Sequence, residues 1–331
     1  TDSSPSVMRC SFTDLSVSWK DLWGKNMNDN SILFPHLHII LKNVGDSFMI
    51  GNFRVAFYGV TMALGMILGS MLILHEAKRT GQSDEDYLDI IIWCLISAVV
   101  GARAYYVIFA WDYYKDDLLS IFNIRGGGMG IIGGLIGAFI AGYFVCRHKK
   151  MSFVLACDTC IIGVPVGQII GRFGNFFNRE AYGQYTDGLF AMQIPLDRCT
   201  RASSVVTDEM MNHLVEYDGL KFISVHPTFL YEALWNLGLL ILLLWMRKHT
   251  RFRGQMVLTY FIGYGLGRFW IESLRIDQLI FFGTGIPVTM IVSAIMVLGG
   301  ILLMVYARKK GIDPAEGMKA VEAEKDDEPE K

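Results

Sequence analysis

The chain has 331 residues, of which 52% are hydrophobic and 19% are charged, and its mean hydropathy is +0.36. Soluble domains carry about a quarter charged residues, so this composition favours a membrane protein. The formal net charge of −2 excludes the broad positive field typical of nucleic-acid-binding proteins, and we expect no nucleic-acid partner.

Apolar segments long enough to cross a bilayer recur along the chain. A hydrocarbon core of ~30 Å requires roughly 20 mostly apolar residues in a helix. Seven segments meet this requirement, at about 53–74, 87–111, 128–146, 153–173, 229–246, 255–273 and 286–307. The sequence therefore predicts an all-α membrane protein with about seven transmembrane helices. On the third span, Gly130, Gly134 and Ala138 are four residues apart, which predicts close helix packing.

Basic residues in the short connections indicate the orientation, because cytoplasmic loops carry an excess of Lys and Arg. Such residues follow the first, third, fifth and seventh spans: Lys78 and Arg79; Arg147, Lys149 and Lys150; Arg247, Lys248, Arg251 and Arg253; and Arg308, Lys309 and Lys310. All four groups fall on the same side. We therefore expect the N-terminus outside and the C-terminus in the cytoplasm.

Three segments lie outside the predicted spans. Residues 1–52 form an external N-terminal arm, in which 38–42 and 47–52 predict a short hairpin around 43–46. The membrane domain, 53–307, contains a long external loop, 174–228, between spans four and five. The tail, 308–331, is cytoplasmic, and its acidic, weakly apolar composition predicts disorder.

Charged and polar residues mark the outer ends of six predicted spans. An Arg at the bilayer centre costs about 2.5–3.5 kcal/mol, so each one requires an explanation. In chain order the residues are Tyr58; Arg103; the Arg125–Gly128 motif; Arg172 and Asn175; the His226–Glu232 motif; and Arg268 and Glu272. Their common depth favours a functional site. Since guanidinium groups bind phosphate bidentately, we predict that this site binds an anionic phospholipid headgroup.

Each of these residues also has an ordinary structural explanation, and these alternatives remain open. Arg103 could extend its charge to the lipid headgroups. Arg268 and Glu272 are four residues apart and could form an ion pair along one helix. Asn175, Asn178 and Glu180 could cap the end of the fourth span. No short His, Asp and Glu cluster has metal-ligand spacing, so the sequence predicts neither a metal nor another cofactor.

A specific string follows the fourth span. Residues 171–183, GRFGNFFNREAYG, closely resemble the signature of bacterial prolipoprotein diacylglyceryl transferases. Further segments are similar to that family in the same order: Tyr58-Gly59, residues 101–106, the glycines of 127–134, residues 226–232, and residues 267–272 followed by Arg275 and Asp277. The resemblance extends from about residue 33 to 307.

This resemblance implies both an architecture and a reaction. Family members have seven spans and transfer the diacylglyceryl group of phosphatidylglycerol to the lipobox cysteine thiol of a preprolipoprotein, which forms a thioether and releases glycerol 1-phosphate. The implied partners are phosphatidylglycerol, the preprolipoprotein signal peptide and membrane lipids. The implied location is the bacterial inner (plasma) membrane, as a multi-pass protein with its active site facing the outer leaflet.

The family resemblance and the common depth of these residues in the bilayer together indicate the candidate site residues. We predict catalytic roles for Arg172, Arg268 and Glu272. The residues expected to bind the headgroup or to support the site are Tyr58, Arg103, Asn175, Asn178, Glu180, Gly183, His226, Glu232 and Arg275.

One position departs from the family pattern. Many members have His directly before the paired glycines of the third span, and this His is often proposed as the base. Here that position is Ile132. The base therefore remains open among Glu180, Glu232, Glu272 and His226. Two alternative functions also remain open: a member that has lost catalysis and binds anionic lipid or lipoprotein, and a transporter of an anionic solute.

Overall fold

A computed structural model describes residues 27–123, 127–201, 205–281 and 285–310. The predicted acidic tail beyond residue 310, the first 26 residues of the predicted arm, and Arg125-Gly126 lie outside these ranges. Within the described residues the chain forms two compact units. We call residues up to 58, 174–230 and 274–278 the strand unit, and residues 59–173, 231–273 and 279 onwards the helical unit.

The described part of the chain is mostly helical. The helices are α1 (Phe57–Arg79), α2 (Asp84–Phe109), α3 (Ile131–His148), α4 (Phe153–Cys160), α5 (Val164–Asn178), α6 (Leu196–Arg201), α7 (Asp208–Asn212), α8 (Thr228–Met246), α9 (Gln255–Leu274) and α10 (Val288–Lys309). The strands are β1 (Ile32–Phe34), β2 (Ile39–Leu41), β3 (Ser47–Ile50), β4 (Phe53–Ala56), β5 (Met192–Pro195), β6 (Val215–Tyr217) and β7 (Leu220–Val225).

Five described helices are long and apolar enough to cross a membrane: α1, α2, α3, α8 and α10. A sixth span is formed if α4 and α5, which meet at a bend of 44°, are counted together. Pro165 lies at the second position of α5 and has no N–H to continue the hydrogen-bond ladder from α4, which accounts for the break. Each predicted span therefore corresponds to a helix or a helix pair. Seven spans are not confirmed, because α9 is less apolar than the other long helices and is not among the candidate membrane-spanning helices.

The all-α prediction was wrong for the strand unit. Five antiparallel strands form a sheet in the order β2-β1-β5-β7-β6. Ile32, Ile194, Ile223 and Val225 are fully buried in its core. The strands are three to six residues long and come from two distant segments of the chain, so no single segment shows a long alternating pattern.

The predicted hairpin in the N-terminal arm was also wrong. Residues 39–41 pair with β1, in the register Ile32↔Leu41, and residues 47–50 pair with β4, in the register Ile50↔Phe53. The chain turns at Gly51-Asn52, where Gly51 has a φ of 59°. The segment 43–46, which the prediction treated as the turn, instead binds the backbone of Asn30 through the amide of Val44.

In the helical unit, glycines allow α2 and α3 to approach closely. A Cβ atom at Gly101 would lie 2.4 Å from the carbonyl oxygen of Gly133, and one at Gly137 would lie 2.3 Å from that of Ser97. A Cβ atom at Gly134 would lie 3.2 Å from the carbonyl oxygen of Ala98. The close packing predicted for the third span is therefore confirmed, and Gly133 and Gly137 make the closest approaches.

A buried carboxylate connects the ends of α1 and α8. Glu76 is 3% exposed and lies 2.5 Å from Nη2 of Arg79 and 2.7 Å from Nη1 of Arg247. Arg247 follows the last residue of α8, so one side chain fixes the end of both helices.

Candidate functional site

The helical unit contains a cluster of four buried or half-buried charges centred on Glu232, in the second turn of α8. Glu232 is 4% exposed. Its Oε2 lies 2.5 Å from Nη2 of Arg172 and its Oε1 lies 2.6 Å from Nη1 of Arg268. The carboxylate therefore holds together two guanidinium groups that would otherwise repel each other.

Arg268 also binds a second carboxylate. Its Nη2 lies 2.5 Å from Oε2 of Glu272, four residues later on α9. We call Arg172, Glu232, Arg268 and Glu272 the arginine–carboxylate cluster. Its formal charge sums to zero, and the Arg172 side chain is 23% exposed against 12% for Arg268. Of the two cations, Arg172 is thus the more accessible to a ligand.

The packing of α8 against α9 brings these charges together. A Cβ atom at Gly267 would lie 2.1 Å from Nε1 of Trp235, so only glycine permits this approach. The Trp235 indole N–H donates to the carbonyl of Gly263 at 2.8 Å. Because Glu232 precedes Trp235 and Arg268 follows Gly267, close contact between these helices sets the ion pair.

Sequence reasoning missed a polar set behind the cluster. Tyr264, one turn before Arg268 on α9, lies within electrostatic range of all four cluster charges. Its ring stacks on Tyr260, with centroids 5.4 Å apart, and Tyr260 accepts a hydrogen bond from Gln168 at 2.7 Å. The four-residue spacing of Tyr260, Tyr264, Arg268 and Glu272 on one helical face was the available signal.

Arg103 lies in the same unit, but its contacts are with the backbone. Its five donors all bind main-chain carbonyls: Nε binds Ile121, Nη1 binds Gly127 and Gly128, and Nη2 binds Ser120 and Asn123. Arginine has five N–H donors, so the guanidinium is saturated. Of the two predicted roles for Arg103, these contacts favour structural support.

In the strand unit, Asn175 and Glu180 meet at the end of α5. The Asn175 side-chain amide donates to Oε1 of Glu180 at 3.0 Å, and the Glu180 amide donates to the Asn175 carbonyl at 3.1 Å. Asn178, the last residue of α5, lies between them in the chain. The neighbouring residues Arg179 and Ala181 have φ values of 54° and 57°, which non-glycine residues adopt rarely.

Arg179 is a supporting residue that sequence reasoning did not single out. It is 3% exposed and donates to the carbonyls of Asn30 at 3.1 Å and Val44 at 2.5 Å. It thereby connects the signature string to the N-terminal strands of the same unit. Its third acceptor is the nearby carbonyl of Phe177 at 3.1 Å. Hydrogen bonds from a buried Arg to backbone carbonyls leave no pattern in the sequence.

Gly183 is packed against the backbone around His226 and Arg275. A Cβ atom at Gly183 would lie 2.8 Å from both Cβ of His226 and the carbonyl oxygen of Leu274. Its amide donates to the His226 carbonyl at 2.9 Å, and it forms an antiparallel bridge with Arg275. The Arg275 side chain binds the Asp277 carboxylate at 2.9 and 2.7 Å. Burial lowers the pKa of His226, which favours the neutral imidazole.

The predicted residues therefore fall into two groups. The cluster unites Arg172, Glu232, Arg268 and Glu272 in the helical unit, whereas the remaining candidates except Arg103 belong to the strand unit. Tyr58, at the second position of α1, is 37% exposed. Ile132, the second residue of α3, is 46% exposed. Among the described residues, no group of three or more His, Cys, Asp or Glu side chains is arranged to hold a metal ion.

Comparison with known proteins agrees with the resemblance in the sequence. A family model described as prolipoprotein diacylglyceryl transferase matches residues 46–306. The phosphatidylglycerol–prolipoprotein diacylglyceryl transferase of Clostridioides difficile is 40% identical over 264 residues, which is 80% of this chain and 95% of that protein. The proteins of the same name from Finegoldia magna and Halalkalibacterium halodurans are 38% and 35% identical over 80% of this chain, and over 96% and 86% of their own length. The chain belongs to the prolipoprotein diacylglyceryl transferase family.

Proposed function

We propose that this chain transfers the diacylglyceryl group of phosphatidylglycerol to the lipobox cysteine thiol of a preprolipoprotein. The relatives that carry this activity in their names match along nearly their whole length. The observation that carries the proposal within the structure is the meeting of Arg172 and Arg268 on Glu232. Neither the lipid-binding alternative nor the transporter alternative is favoured by these relatives.

The reaction requires stabilisation of a phosphate as it leaves. The cysteine sulfur attacks the glyceryl carbon that bears the phosphate ester, the S–C bond forms, and the C–O bond breaks. Glycerol 1-phosphate departs with the electron pair, and the thiol proton passes to a base or to the phosphate. Guanidinium groups are always charged and bind phosphate oxygens in a planar fork, so Arg172 and Arg268 are assigned to the phosphate.

Deprotonation of the thiol by a base accounts for only a small part of the rate enhancement. A thiol of pKa ~8.5 is a few per cent ionised at neutral pH, so full deprotonation contributes only about 2 kcal/mol. Orientation of the reactants contributes ~7–11 kcal/mol, and preorganised charge on the phosphate contributes several more. Ile132 is therefore compatible with catalysis. Glu180, Glu232, Glu272 and His226 remain the candidate proton acceptors.

Glu272 is assigned a catalytic role because it pairs with Arg268 in the arginine–carboxylate cluster. With both carboxylates ionised, the cluster is formally neutral and offers little net attraction to a phosphate. Transfer of the thiol proton to either cluster carboxylate would leave the cluster at +1 beside the leaving group. Tyr58, Asn175, Asn178, Glu180, Gly183, His226, Glu232 and Arg275 are assigned to headgroup binding or to support of the site, and Arg103 to support.

The same proposal gives the protein an orientation in the bacterial inner membrane. It has seven spans if the α4–α5 pair and α9 each cross the bilayer. Basic residues at the carboxyl ends of α1, α3, α8 and α10 support a cytoplasmic position for those ends. The N-terminus and residues 174–228 then lie outside, and the active site faces the outer leaflet.

A transfer assay tests the function. The purified chain is incubated with a lipobox peptide in vesicles of phosphatidylglycerol or of phosphatidylethanolamine, and the peptide mass is followed. We expect addition of the diacylglyceryl mass with phosphatidylglycerol and at least a tenfold slower reaction with phosphatidylethanolamine. Binding of phosphatidylglycerol without any mass change would instead support the lipid-binding alternative, and equal rates with both lipids would contradict recognition by the arginines.

A further inference from the structure

The hairpin β3–β4 presents large apolar side chains at its tip. Met49 is 59% exposed, Ile50 is 63% exposed and Phe53 is 55% exposed, on both sides of the two-residue turn Gly51-Asn52. The two strands pair only with each other among the described strands. Large apolar side chains concentrated at an exposed projection mark a surface for an apolar partner.

The charged side chains of this hairpin lie at its base, away from the turn. Arg54 lies opposite Met49 in the register, but its Nε donates to Oγ of Ser47 at 2.8 Å and its Nη2 to Oδ2 of Asp46 at 3.0 Å. A hydrogen bond from Ser47 and the charge of Arg54 hold the pKa of Asp46 below its usual range, so the carboxylate stays ionised. The hairpin is therefore polar at its base and apolar at its tip.

A second hairpin in the same unit shows that this exposure is not general. β6 and β7 are joined by the two-residue turn Asp218-Gly219, and the pair beside this turn is Tyr217↔Leu220. Tyr217 is buried in a hydrophobic cluster, and Leu220 packs against that cluster. The two hairpins thus share a turn length, but the side chains beside the turn are buried or half-buried in β6–β7 and exposed in β3–β4. The pair in β6–β7 is already covered by the protein, whereas the exposed apolar tip of β3–β4 suits a phase that excludes water.

The position of β3–β4 in the chain indicates which apolar phase that is. β4 ends at Ala56, and the first candidate membrane-spanning helix begins at the next residue, Phe57. The Phe48 and Phe57 rings lie 5.3 Å apart, so the hairpin is packed against the start of that helix. Four strand residues extend roughly 13 Å. This length is sufficient for the depth of about 5–10 Å at which interfacial segments sit in a leaflet.

We propose that the tip of the β3–β4 hairpin inserts among the lipid acyl chains of the leaflet in which α1 begins. Met49, Ile50 and Phe53 enter the acyl region, and Asp46, Ser47 and Arg54 stay at headgroup level. Such an anchor gives the strand unit a second attachment to the bilayer, besides its covalent links to the helices. This insertion requires neither the transfer reaction nor a decision on which side of the membrane is cytoplasmic.

Depth-dependent fluorescence quenching tests this insertion. A polarity-sensitive fluorescent amino acid is incorporated at Ile50 in the full chain, and at Asp218 in a matched control, in phosphatidylcholine–phosphatidylglycerol vesicles. We expect blue-shifted emission at position 50 and at least twofold stronger quenching by lipids with a nitroxide near the headgroup than at position 218. The substitution Ile50→Asp, with the probe at Met49, should reduce quenching to the level of the control.

Three results would overturn the proposal. The first is water-like emission at position 50 in vesicles. The second is a blue shift that depends on protein concentration, which would indicate a second copy of the chain as the occupant. The third is a blue shift that appears only when a lipobox peptide is added, which would indicate a peptide-binding surface.

Discussion

Nη1 of Arg268 lies 2.6 Å from Oε1 of Glu232, a carboxylate that is 4% exposed. The opposite oxygen of that carboxylate binds Arg172, so the ion pair also places a second cation. Removing one partner of a buried pair commonly costs 3–5 kcal/mol, because the remaining charges are left buried and unpaired.

We therefore expect Glu232→Gln to lower the thermal stability of the purified chain and to reduce the transfer rate at least 100-fold. Glu76→Gln is the matched control, because Glu76 is also buried between two arginines of the same unit. That control should be destabilised to a similar degree, but its folded fraction should keep a rate within a few-fold of wild type. Equal loss of rate in both variants would mean that Glu232 acts through stability alone.

We expect Arg103 to stabilise the fold and not to bind the headgroup. Arg103→Lys keeps the charge but loses the planar group that binds five carbonyls. Hydrogen bonds to charged groups contribute about 1.5–3 kcal/mol each, so loss of two or more should cost about 3 kcal/mol or more in unfolding free energy. The KM for phosphatidylglycerol should change less than about threefold, and the exposed Arg54→Lys should have little effect on either quantity. A tenfold rise in KM at unchanged stability would instead assign Arg103 to the headgroup.

His226 should make the stability depend on pH. Its folded-state pKa is lowered by burial, so the unfolded chain binds a proton more readily. The free energy of unfolding therefore keeps its full value above the unfolded pKa of ~6.5 and decreases as the pH falls below that value. Thermal unfolding between pH 7.5 and 5.5 should show a smaller acid loss for His226→Gln than for wild type. The exposed His249→Gln should retain the wild-type loss, and an unchanged profile in His226→Gln would refute this origin.

Reporter insertion tests the number of spans and the orientation. Fusions placed in 75–86, 147–152, 247–254 or after 308 should report a cytoplasmic position, and fusions in 184–225 an external one. The decisive site is 247–254, because α9 is the least apolar of the predicted spans. An external signal there would mean that α8 and α9 do not cross the bilayer as proposed.

Local sequence patterns predicted the helices well and the strands poorly. Long apolar runs located every described α-helix except the short α6 and α7, because bilayer spans depend on composition over about 20 residues. Arg268 and Glu272 marked α9 as part of a candidate site. The same two charged residues lower the mean hydropathy of this helix, so it is not among the candidate membrane-spanning helices. The sheet was missed because β1 and β5 pair across more than 150 residues of sequence.

The four members of the arginine–carboxylate cluster were all among the candidate residues, but only part of their contacts could be predicted. The i, i+4 spacing of Arg268 and Glu272 indicated an ion pair as one alternative, and the structure contains that pair. The meeting of Arg172 and Arg268 on Glu232 joins three helices, and no local spacing encodes it. The saturation of Arg103 by backbone carbonyls could not be predicted either, since a carbonyl has no signature in the sequence.

The most direct test of the central claim is the transfer rate of Arg172→Lys and Arg268→Lys. Lysine keeps the charge but not the planar fork, and loss of one charged donor at a transition state typically costs about 10²–10³ in rate. Transfer of a labelled diacylglyceryl group to a lipobox peptide is measured for variants with equal membrane insertion. Arg247→Lys serves as the control away from the cluster. Ile132→His should change the rate at most roughly 30-fold, which is the limit set by the ionised fraction of the thiol. We predict that both cluster variants fall at least 100-fold; rates near wild type in both would show that these arginines are structural and would contradict the account.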